Sequence, residues 1–434
     1  DNKNFTLVLV ICTVNNQNNN LKMKKNLLTT IVIFTIGSFM SCSSDDDGAV
    51  IPNDSEGQGT DTVLSGQITE DKTLTNDEIW ELEGRVTVTA GNTLTIEAGT
   101  IIKAFAGSGA NASALIIARG AKIMANGTTD NPIVFTSAAD NIQLGQSFGG
   151  NLTENDRGLW GGLLVLGYAT ISVEGNASET QIEGIPASDT NGLYGGNDNS
   201  DNSGEINYVS IRHGGAEIGE GNEINGLTLG GVGSGTSIAN VEVVANVDDG
   251  IELFGGSVDV SNALVWAQGD DGLDIDQAYS GTVSNSVVVL GDISDHAMEI
   301  DGPEGALEGS FTLNNITLIG NSSTENGEYA DYRSNAMGVS NNVFARGFKE
   351  SSDVELDNDG VATNYNDGKL SFGLWEIVLP SAVENVQDLF VNKAETVPVT
   401  GYGDNANAVI NGSETVGANL SDFGWTFADY KGAL

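Results

Sequence analysis

Acidic side chains recur at a nearly constant spacing in the middle of the chain. The segments are DDGIEL at 248–253, DDGLDID at 270–276 and DHAMEID at 295–301, which start 22 and 25 residues apart. Carboxylate oxygens gathered in one place are the ligands that Ca²⁺ prefers, at about 2.3–2.6 Å. A pair of carboxyl groups, one of them protonated, is also the machinery of glycoside hydrolysis. The acids therefore indicate either a calcium site or a catalytic site.

The apolar residues between these acids predict the element that positions them. Side chains alternate between the two faces of a strand, so Ile251 and Leu253 point inward while Glu252 points outward. If the three segments lie on successive coils, their acids stack in three columns. These columns are Glu252–Asp274–Glu299, Asp248–Asp270–Asp295 and Asp276–Asp301. Like charges about 5 Å apart repel each other, so such columns persist by binding cations, by raised pKa values or by hydration.

A second repeat supports the stacking of coils. The pattern aliphatic, any residue, Asn, any two residues, aliphatic recurs at Asn240, Asn262, Asn285, Asn315 and Asn341. Strands stack about 4.8 Å apart, so amides at one corner of each coil can form a hydrogen-bonded ladder. We therefore predict an all-β fold, a right-handed parallel β-helix (a solenoid) over residues 63–374. A β-sandwich with evenly spaced strands is the alternative, although it does not need an asparagine at one phase of the repeat.

Three parts depart from the regular repeat. Residues 174–204 are a long polar insertion. A solenoid needs caps over its open ends, and Val63–Glu83, which contains Trp80, is expected at the N-terminal end. The C-terminal cap is expected over residues 375–434, whose aromatic residues are Trp375, Phe390, Phe423, Trp425 and Phe427.

The calcium interpretation takes its ligands from the stacked acids and from two short loops. The stacked candidates are Asp248, Asp270, Asp274, Asp276, Glu299 and Asp301. The loop candidates are Asp201, in NSDNSG at 199–204, and Asp357 and Asp359, in ELDNDG at 355–360. Neither loop has the glutamate at the twelfth position that completes a calcium loop. A third interpretation is that the acids only keep an exposed strand face soluble.

The catalytic interpretation rests on Asp248, Asp270, Asp271 and His296. Their order and spacing resemble the polygalacturonase family, whose inverting hydrolysis uses three aspartates, a histidine one coil later and an Arg-x-Lys motif. His296 is not flanked by glycines, and Arg333 is not part of an Arg-x-Lys motif. The resemblance leaves a polysaccharide-active hydrolase or lyase as the alternative function.

The N-terminal region resembles a bacterial lipoprotein signal. Residues 23–41 begin with MKK, continue as an uncharged apolar run and end just before Cys42. The run is too short to span a bilayer comfortably. The resemblance implies that Cys42 is lipidated and that the acidic tether at 42–62 leads to the outer face of the outer membrane. Residues 1–22 are expected to be upstream sequence.

The stretches GNTLTIEAGTIIKA, GLWGGLLVLG and GWTFADYKGAL resemble Bacteroidetes-type surface lipoproteins with pectin-lyase-like β-helices. The resemblance covers residues 63–434 and implies fold and location, but no activity. The formal net charge of −43 excludes nucleic acid as a partner and limits membrane contact to the lipid anchor. We expect a cell-surface module that binds a glycan or a protein, stabilised by Ca²⁺, with Trp266 as a sugar platform.

Overall fold

Short strands rich in Val, Ile, Leu and Thr pair in parallel along most of the chain, each with a strand one coil later. The structure is a computed structural model, and it describes residues 62–219, 222–324 and 326–434. The expected upstream segment, signal peptide and tether (1–22, 23–41 and 42–62) lie outside the described residues except for residue 62. Cys42 lies outside them as well.

The strands are short because a turn ends each side of a coil. The first are β1 (Val63–Ile68), β2 (Lys72–Leu74), β3 (Ile79–Val88), β4 (Thr93–Ile96), β5 (Ile101–Ala104), β6 (Ala114–Ile117), β7 (Lys122–Asn126), β8 (Ile133–Ser137) and β9 (Leu163–Leu166). The next are β10 (Thr180–Gln181), β11 (Leu193–Tyr194), β12 (Gly204–Arg212), β13 (Glu217–Gly219), β14 (Asn222–Glu223), β15 (Leu227–Gly230), β16 (Ser237–Val244), β17 (Ile251–Phe254), β18 (Val260–Trp266), β19 (Leu273–Asp276), β20 (Thr282–Val289) and β21 (Met298–Ile300). The last are β22 (Phe311–Ile319), β23 (Ala330–Tyr332), β24 (Gly338–Arg346), β25 (Val354–Leu356), β26 (Leu370–Phe372), β27 (Trp375–Ile377), β28 (Phe390–Asn392) and β29 (Ala406–Ala408), with helices α1 (Asp359–Asn366) and α2 (Phe427–Lys431).

The strands form three parallel faces around one apolar interior. The first face runs β2–β4–β7–β12–β16–β18–β20–β22–β24–β26. The second runs β1–β3–β5–β8–β12 and on through the second halves of the long strands to β27 and β29. The third runs β1–β3–β6–β9–β15–β17–β19–β21–β23–β25–β28. This is the parallel β-helix that the repeats predict.

Asparagines occupy the corner between the first and second faces. Asn240, Asn262 and Asn285 have φ of 51°, 54° and 48°, a left-handed conformation that Asn adopts at lower cost than most residues. Asn262 donates to Asn240 Oδ1 at 3.0 Å, and Asn285 donates to Asn262 Oδ1 at 2.7 Å. The amides of these coils therefore form the ladder that the repeat predicts.

The last ladder position differs from the prediction by one residue. Asn314 pairs with Asn341, which places Asn342, with φ of 55°, in line with Asn315. Asn314 Oδ1 accepts from Asn342 Nδ2 at 3.0 Å and from Asn341 Nδ2 at 3.4 Å. Asn341 is therefore not the corner residue; its own Oδ1 accepts from the backbone N–H of Leu374. The pattern of aliphatic residues points to Asn341, since Ser340 stands where Asn342 would need an aliphatic residue, and only the register and backbone conformation reveal Asn342 as the corner residue.

The C-terminal end of the interior is closed by aromatic side chains. The centroid of the Tyr402 ring lies 5.1 Å from that of Phe372 and 5.3 Å from that of Phe390, and the Trp375 ring lies 5.7 Å from Phe390. Trp375 and Phe390 therefore belong to the expected cap. However, β27 and β29 continue the second face, so the solenoid extends past the expected boundary at residue 374. At the other end, Val63–Glu83 forms strands of the first coil, with Trp80 buried in the interior.

Residues 416–434, which we call the C-terminal strap, run back along the outside of the second face. Ala418 donates to Thr317 Oγ1 at 2.8 Å, and Ala428 donates to Glu242 Oε1 at 2.9 Å. The side chains of Phe423 and Phe427 are buried and pack against outward-facing residues of β16, β18, β20 and β22. Phe423, Trp425 and Phe427 are therefore not part of a cap over the last coil, because the strap carries them back to earlier coils.

None of the helices in the described ranges is long and apolar enough to cross a membrane.

Candidate functional site

The third face carries one acid per coil in its C-terminal half. The strands β17, β19, β21, β23 and β25 each have an apolar–acid–apolar sequence, and their register stacks the acids in one line. We call this line the acid column; its members are Glu252, Asp274, Glu299, Asp331 and Glu355. The apolar neighbours of each acid point into the interior. Strand alternation therefore forces every acid of the column onto the outer side.

The column is buried although it lies on the outer side. Its five side chains are only 5–8 % exposed. The interpretation of the acids as a solvated face is therefore wrong for the column, although Asp270 in the preceding turn is exposed. Burial disfavours the charged carboxylate, and it raises the pKa of Glu252 and Asp274 well above their usual values, with further contributions from neighbouring acids.

A second row of acids lies at the corner that precedes the column. Asp249 Oδ1 accepts from the backbone N–H of Asp271 at 2.9 Å, and Asp271 Oδ1 accepts from the backbone N–H of His296 at 2.8 Å. The ring Nδ1 of His296 also lies 2.9 Å from Asp271 Oδ1. Burial opposes the charged imidazole, but the hydrogen bond and charge of Asp271 outweigh it and raise the pKa of His296 to about 9.

The catalytic candidates fall into two pairs in this corner row. Asp271 and His296 are hydrogen-bonded to each other, while Asp248 and Asp270 share a cluster with Asp249 in which one oxygen of each lies within 4.8 Å of the others. Burial and the charge of Asp270 raise the pKa of Asp248 to about 7. The oxygens of this cluster are closer together than the roughly 6.5–9.5 Å that separates the carboxyls of an inverting glycosidase. Their spacing suits a shared cation or a shared proton better.

Two basic side chains neutralise the C-terminal part of the acid column. Arg333 contacts Glu299 and lies 3.0 Å from Asp301 and 4.0 Å from Asp331. Lys393 contacts Glu355 and lies 3.7 Å from Asp353.

The N-terminal part of the column has no such partner. Among the described residues, no ion pair reaches Asp249, Glu252 or Asp274. One carboxylate oxygen of each lies within 4.8 Å of the other two. Asp274 is 8 % exposed, and its Oδ1 has no hydrogen-bond partner in the described part of the chain. Three buried carboxylates, one with a free oxygen, therefore converge on one point, which is the donor set of a hard divalent cation.

The remaining metal candidates are distributed unevenly. Asp276 and Asp301 lie beside the column, and Asp301 is held by Arg333. Asp357 joins Asp331 and Glu355 in a cluster. In the two expected calcium loops, Asp201 accepts from Ser203 Oγ, and Asp359 is the first residue of α1 and accepts from the backbone of residues 396 and 397. These loop acids bind their own chain.

The polar insertion forms a wall beside the acids. A cleft of about 350 Å³ is lined by Val173, Glu174, Ala177, Thr180, Gln181, Glu183, Tyr194, Phe254, Gln277 and Glu304. Tyr194 donates to Gln277 Oε1 at 3.0 Å, and Gln277 donates to Glu304 Oε1 at 3.3 Å. Burial is the largest cause of the raised pKa of Asp248 and Glu252, and neighbouring acids come next. The charge of Glu183 also contributes to both shifts. The acids therefore border a groove and not an open flat face.

Trp266 does not serve as a sugar platform. It is 7 % exposed, and its ring centroid lies 6.1 Å from that of Phe427 in the C-terminal strap. The expectation of an exposed aromatic at this position is wrong because the strap covers it.

A family model described as a pectate-lyase-like β-helix domain matches residues 66–426, which is most of the chain. The chain belongs to this family. Neither the comparison with curated proteins nor the comparison with solved structures found a match. Membership establishes the fold of this pectate-lyase-like β-helix protein, but function is determined by the residues of its site and not by the fold.

Several residues of the site were not found by sequence reasoning. They are Asp249 of the corner row, Asp331 of the column, the acids Glu328 and Asp353 beside it, and the basic residues Arg333 and Lys393. Glu355 was noted only as the first residue of the loop at 355–360 and not as a member of the column. The signal that identifies the column acids is the apolar–acid–apolar triplet, which recurs as ADY at 330–332 and VEL at 354–356. The basic residues have no comparable signal.

Proposed function

We propose that this pectate-lyase-like β-helix protein is a binding module at the cell surface, stabilised by a calcium ion at the N-terminal part of its acid column. The observation that carries the proposal is buried Asp274, whose Oδ1 has no hydrogen-bond partner in the described part of the chain and which has one carboxylate oxygen within 4.8 Å of Asp249 and Glu252. Without a counter-ion, burial and mutual repulsion disfavour the charged forms of these carboxyls, as the raised pKa values of Asp249, Glu252 and Asp274 reflect. A divalent ion bound between them would offset the repulsion.

The donor set favours Ca²⁺ over transition metals. Asp249, Glu252 and Asp274 offer only carboxylate oxygens, which are hard ligands that suit Ca²⁺ and Mg²⁺. Ca²⁺ tolerates irregular geometry and several carboxylates, whereas Mg²⁺ requires near-octahedral coordination and keeps most of its water. His296 points at Asp271 and Glu299, outside this set.

The cleft beside the acids supports binding of an extended ligand. Its walls combine apolar side chains, among them Val173 and Phe254, with the hydrogen-bonding groups of Gln181 and Glu304. Apolar surface with a few oriented polar groups is the usual composition of a glycan or peptide site. The acidic rim disfavours polyanionic ligands, so we propose a neutral glycan or a protein segment as the ligand.

A polysaccharide hydrolase or lyase is the second candidate, favoured by the contact of 2.9 Å between His296 and Asp271. Acid–base catalysis commonly uses a hydrogen-bonded Asp–His pair, and the side chains of His296 and Asp271 are 15 % and 6 % exposed. If this pair is catalytic, His296→Gln abolishes the release of reducing sugar or unsaturated product from a polysaccharide and leaves the response of the melting temperature to Ca²⁺ unchanged.

The calcium site is tested by thermal unfolding with and without a chelator. A ligand present at a hundredfold excess over Kd stabilises the native state by about 2.7 kcal/mol. We expect Ca²⁺ to raise the melting temperature of the wild type but not that of Asp274→Asn, which should be at least as stable as the wild type in chelator. Asp130→Asn, at an exposed loop position, is the matched control and should keep the full response. An equal response in Asp274→Asn contradicts the proposal.

A further inference from the structure

Arg333 stands in the line of side chains next to the acid column. The register pairs Ile275 with Ile300 and Ile300 with Tyr332, so Asp276, Asp301 and Arg333 follow one another on successive coils. From this position the guanidinium reaches the preceding coil, where it contacts Glu299 and Asp301, and its own coil, where it lies 4.0 Å from Asp331. One side chain thus supplies positive charge to three carboxylates.

Lys393 repeats this arrangement at the end of the column. The pairing of Leu356 with Asn392 places Lys393 in line with Asp357, one coil further on. Its ammonium contacts Glu355 and lies 3.7 Å from Asp353. Arg333 and Lys393 are 38 % and 44 % exposed, so both side chains reach the buried acids from the solvent side.

We propose that Arg333 and Lys393 are tethered counter-cations that occupy the place of an exchangeable divalent ion, so that the acid column binds such ions only at its N-terminal coils. This inference rests on the proposed calcium site. A second observation, at Asp331, supports the inference. Asp331 is 5 % exposed, and its Oδ1 lacks a hydrogen-bond partner in the described part of the chain. The C-terminal coils thus present the same kind of free oxygen as Asp274, but beside a fixed positive charge.

The two kinds of counter-ion differ in how they respond to conditions. A divalent ion leaves when a chelator lowers its free concentration, whereas a side chain stays at a fixed local concentration. Arg333 also covers part of the coordination sphere that Glu299, Asp301 and Asp331 would offer to an ion. Removing the guanidinium frees these oxygens, and introducing one at the register-equivalent Asp276 should occupy Glu252 and Asp274.

The experiment counts bound calcium by isothermal titration of CaCl₂ into the metal-free full chain. Arg333→Gln should bind one more ion per chain than the wild type. Asp276→Arg should lose the ion that the wild type binds, and its melting temperature should become independent of chelator. Circular dichroism establishes that each variant is folded, and Asp276→Arg provides an independent arm if Arg333→Gln does not fold.

Each outcome separates the inference from the proposed function. If the wild type binds calcium and folded Arg333→Gln binds no additional ion, the tethered-cation inference is wrong while the calcium site stands. Retention of the wild-type ion in Asp276→Arg also overturns the inference. If the wild type binds no calcium but Arg333→Gln does, the proposed site at Asp274 is wrong and the role of Arg333 is supported.

Discussion

Single side chains at the coil corners determine whether successive coils can stack. Asn262 contributes to the stability of the stacked coils in two ways. It adopts φ of 54°, and its amide both donates to Asn240 and accepts from Asn285. An unpaired amide on a neighbouring coil costs about 1–3 kcal/mol. The left-handed conformation costs a non-glycine residue another 1–2 kcal/mol or so.

The two contributions can be separated by two substitutions at this position. Asn262→Gly loses the amide but keeps the conformational freedom, so we expect a loss of about 1–3 kcal/mol in the free energy of unfolding. Asn262→Ala adds the conformational cost and should lose about 2–5 kcal/mol. Chemical denaturation measures both. Equal losses would show that the corner conformation has no cost of its own.

His213 makes stability depend on pH. Burial lowers the pKa of His213 from its usual 6.5 to about 4. Between these values the unfolded chain binds a proton at His213 that the native chain does not, so the contribution of His213 to the free energy of unfolding falls as pH falls from 6.5 to 4. At about 1.36 kcal/mol per unit, the loss approaches roughly 3 kcal/mol.

Asn tests this prediction because it tolerates the φ of 64° found at His213. Although His213→Asn removes the hydrogen bond between Nδ1 and the Asp156 carbonyl, its stability relative to that of the wild type should increase as pH falls over this range. Urea unfolding at several pH values gives the two curves. Parallel curves between pH 4 and 6.5 would rule out His213 as the source.

At the scale of elements, the C-terminal strap fastens the second face. Phe427 is 2 % exposed, and its ring lies 4.8 Å from the guanidinium carbon of Arg212, which also lies 5.2 Å from the ring of Phe148. Phe427→Ala should therefore cost about 3–5 kcal/mol, since it leaves a cavity and exposes a buried charge. Ile410→Ala, at a position that is 80 % exposed, should change stability by less than about 0.5 kcal/mol.

Limited proteolysis distinguishes a local from a global effect of Phe427→Ala. Release of the strap alone should produce cleavage near residue 416 while the coils stay resistant. If Phe427→Ala is as stable and as resistant as Ile410→Ala, the strap contributes nothing to the fold.

The elements of this fold were predictable to the extent that they repeat. The first three asparagines of the ladder and the first three acids of the column recur every 22 to 25 residues, and the structure stacks them. Asp331 and Arg333 were not predicted as site residues because the repeat lengthens at this point. Whereas 25 residues separate Asp271 from His296, 32 separate Asp301 from Arg333. The strap could not be predicted, since its contacts lie up to 186 residues away and have no local pattern.

The burial of the acids was also beyond sequence reasoning. Alternation of apolar and acidic residues correctly placed Glu252 and Asp274 on the outer side of the strand, and outward residues of a sheet are usually solvated. Here the insertion at 174–204 lies beside the third face, as the lining of the cleft shows. Which face an insertion covers depends on tertiary packing that its own sequence does not encode.

At the scale of the whole molecule, location is the property that the lipoprotein resemblance predicts. The proposal rests on Cys42 following a short apolar run. Cys42→Ala should abolish lipid labelling and move the protein from the membrane fraction to the soluble fraction. Replacing Asp45, Asp46 and Asp47 by Ala should preserve lipidation but remove surface exposure, as measured by protease treatment of intact cells. If protease cleaves that triple variant on intact cells as readily as the wild type, these three acids do not direct the protein to the cell surface.

The strap also has a consequence for the order in which the molecule is completed. Ala428 binds Glu242 across 186 residues of sequence, and a chain grows at about 5–20 residues per second. Roughly 10–40 s therefore pass between synthesis of the second-face strands and synthesis of the segment that covers them. Throughout that interval Val244, Leu264 and Trp266 have no cover. A nascent chain of this protein thus carries a temporary apolar stripe, the kind of surface that holding chaperones recognise, and it loses that stripe only when its last residues arrive.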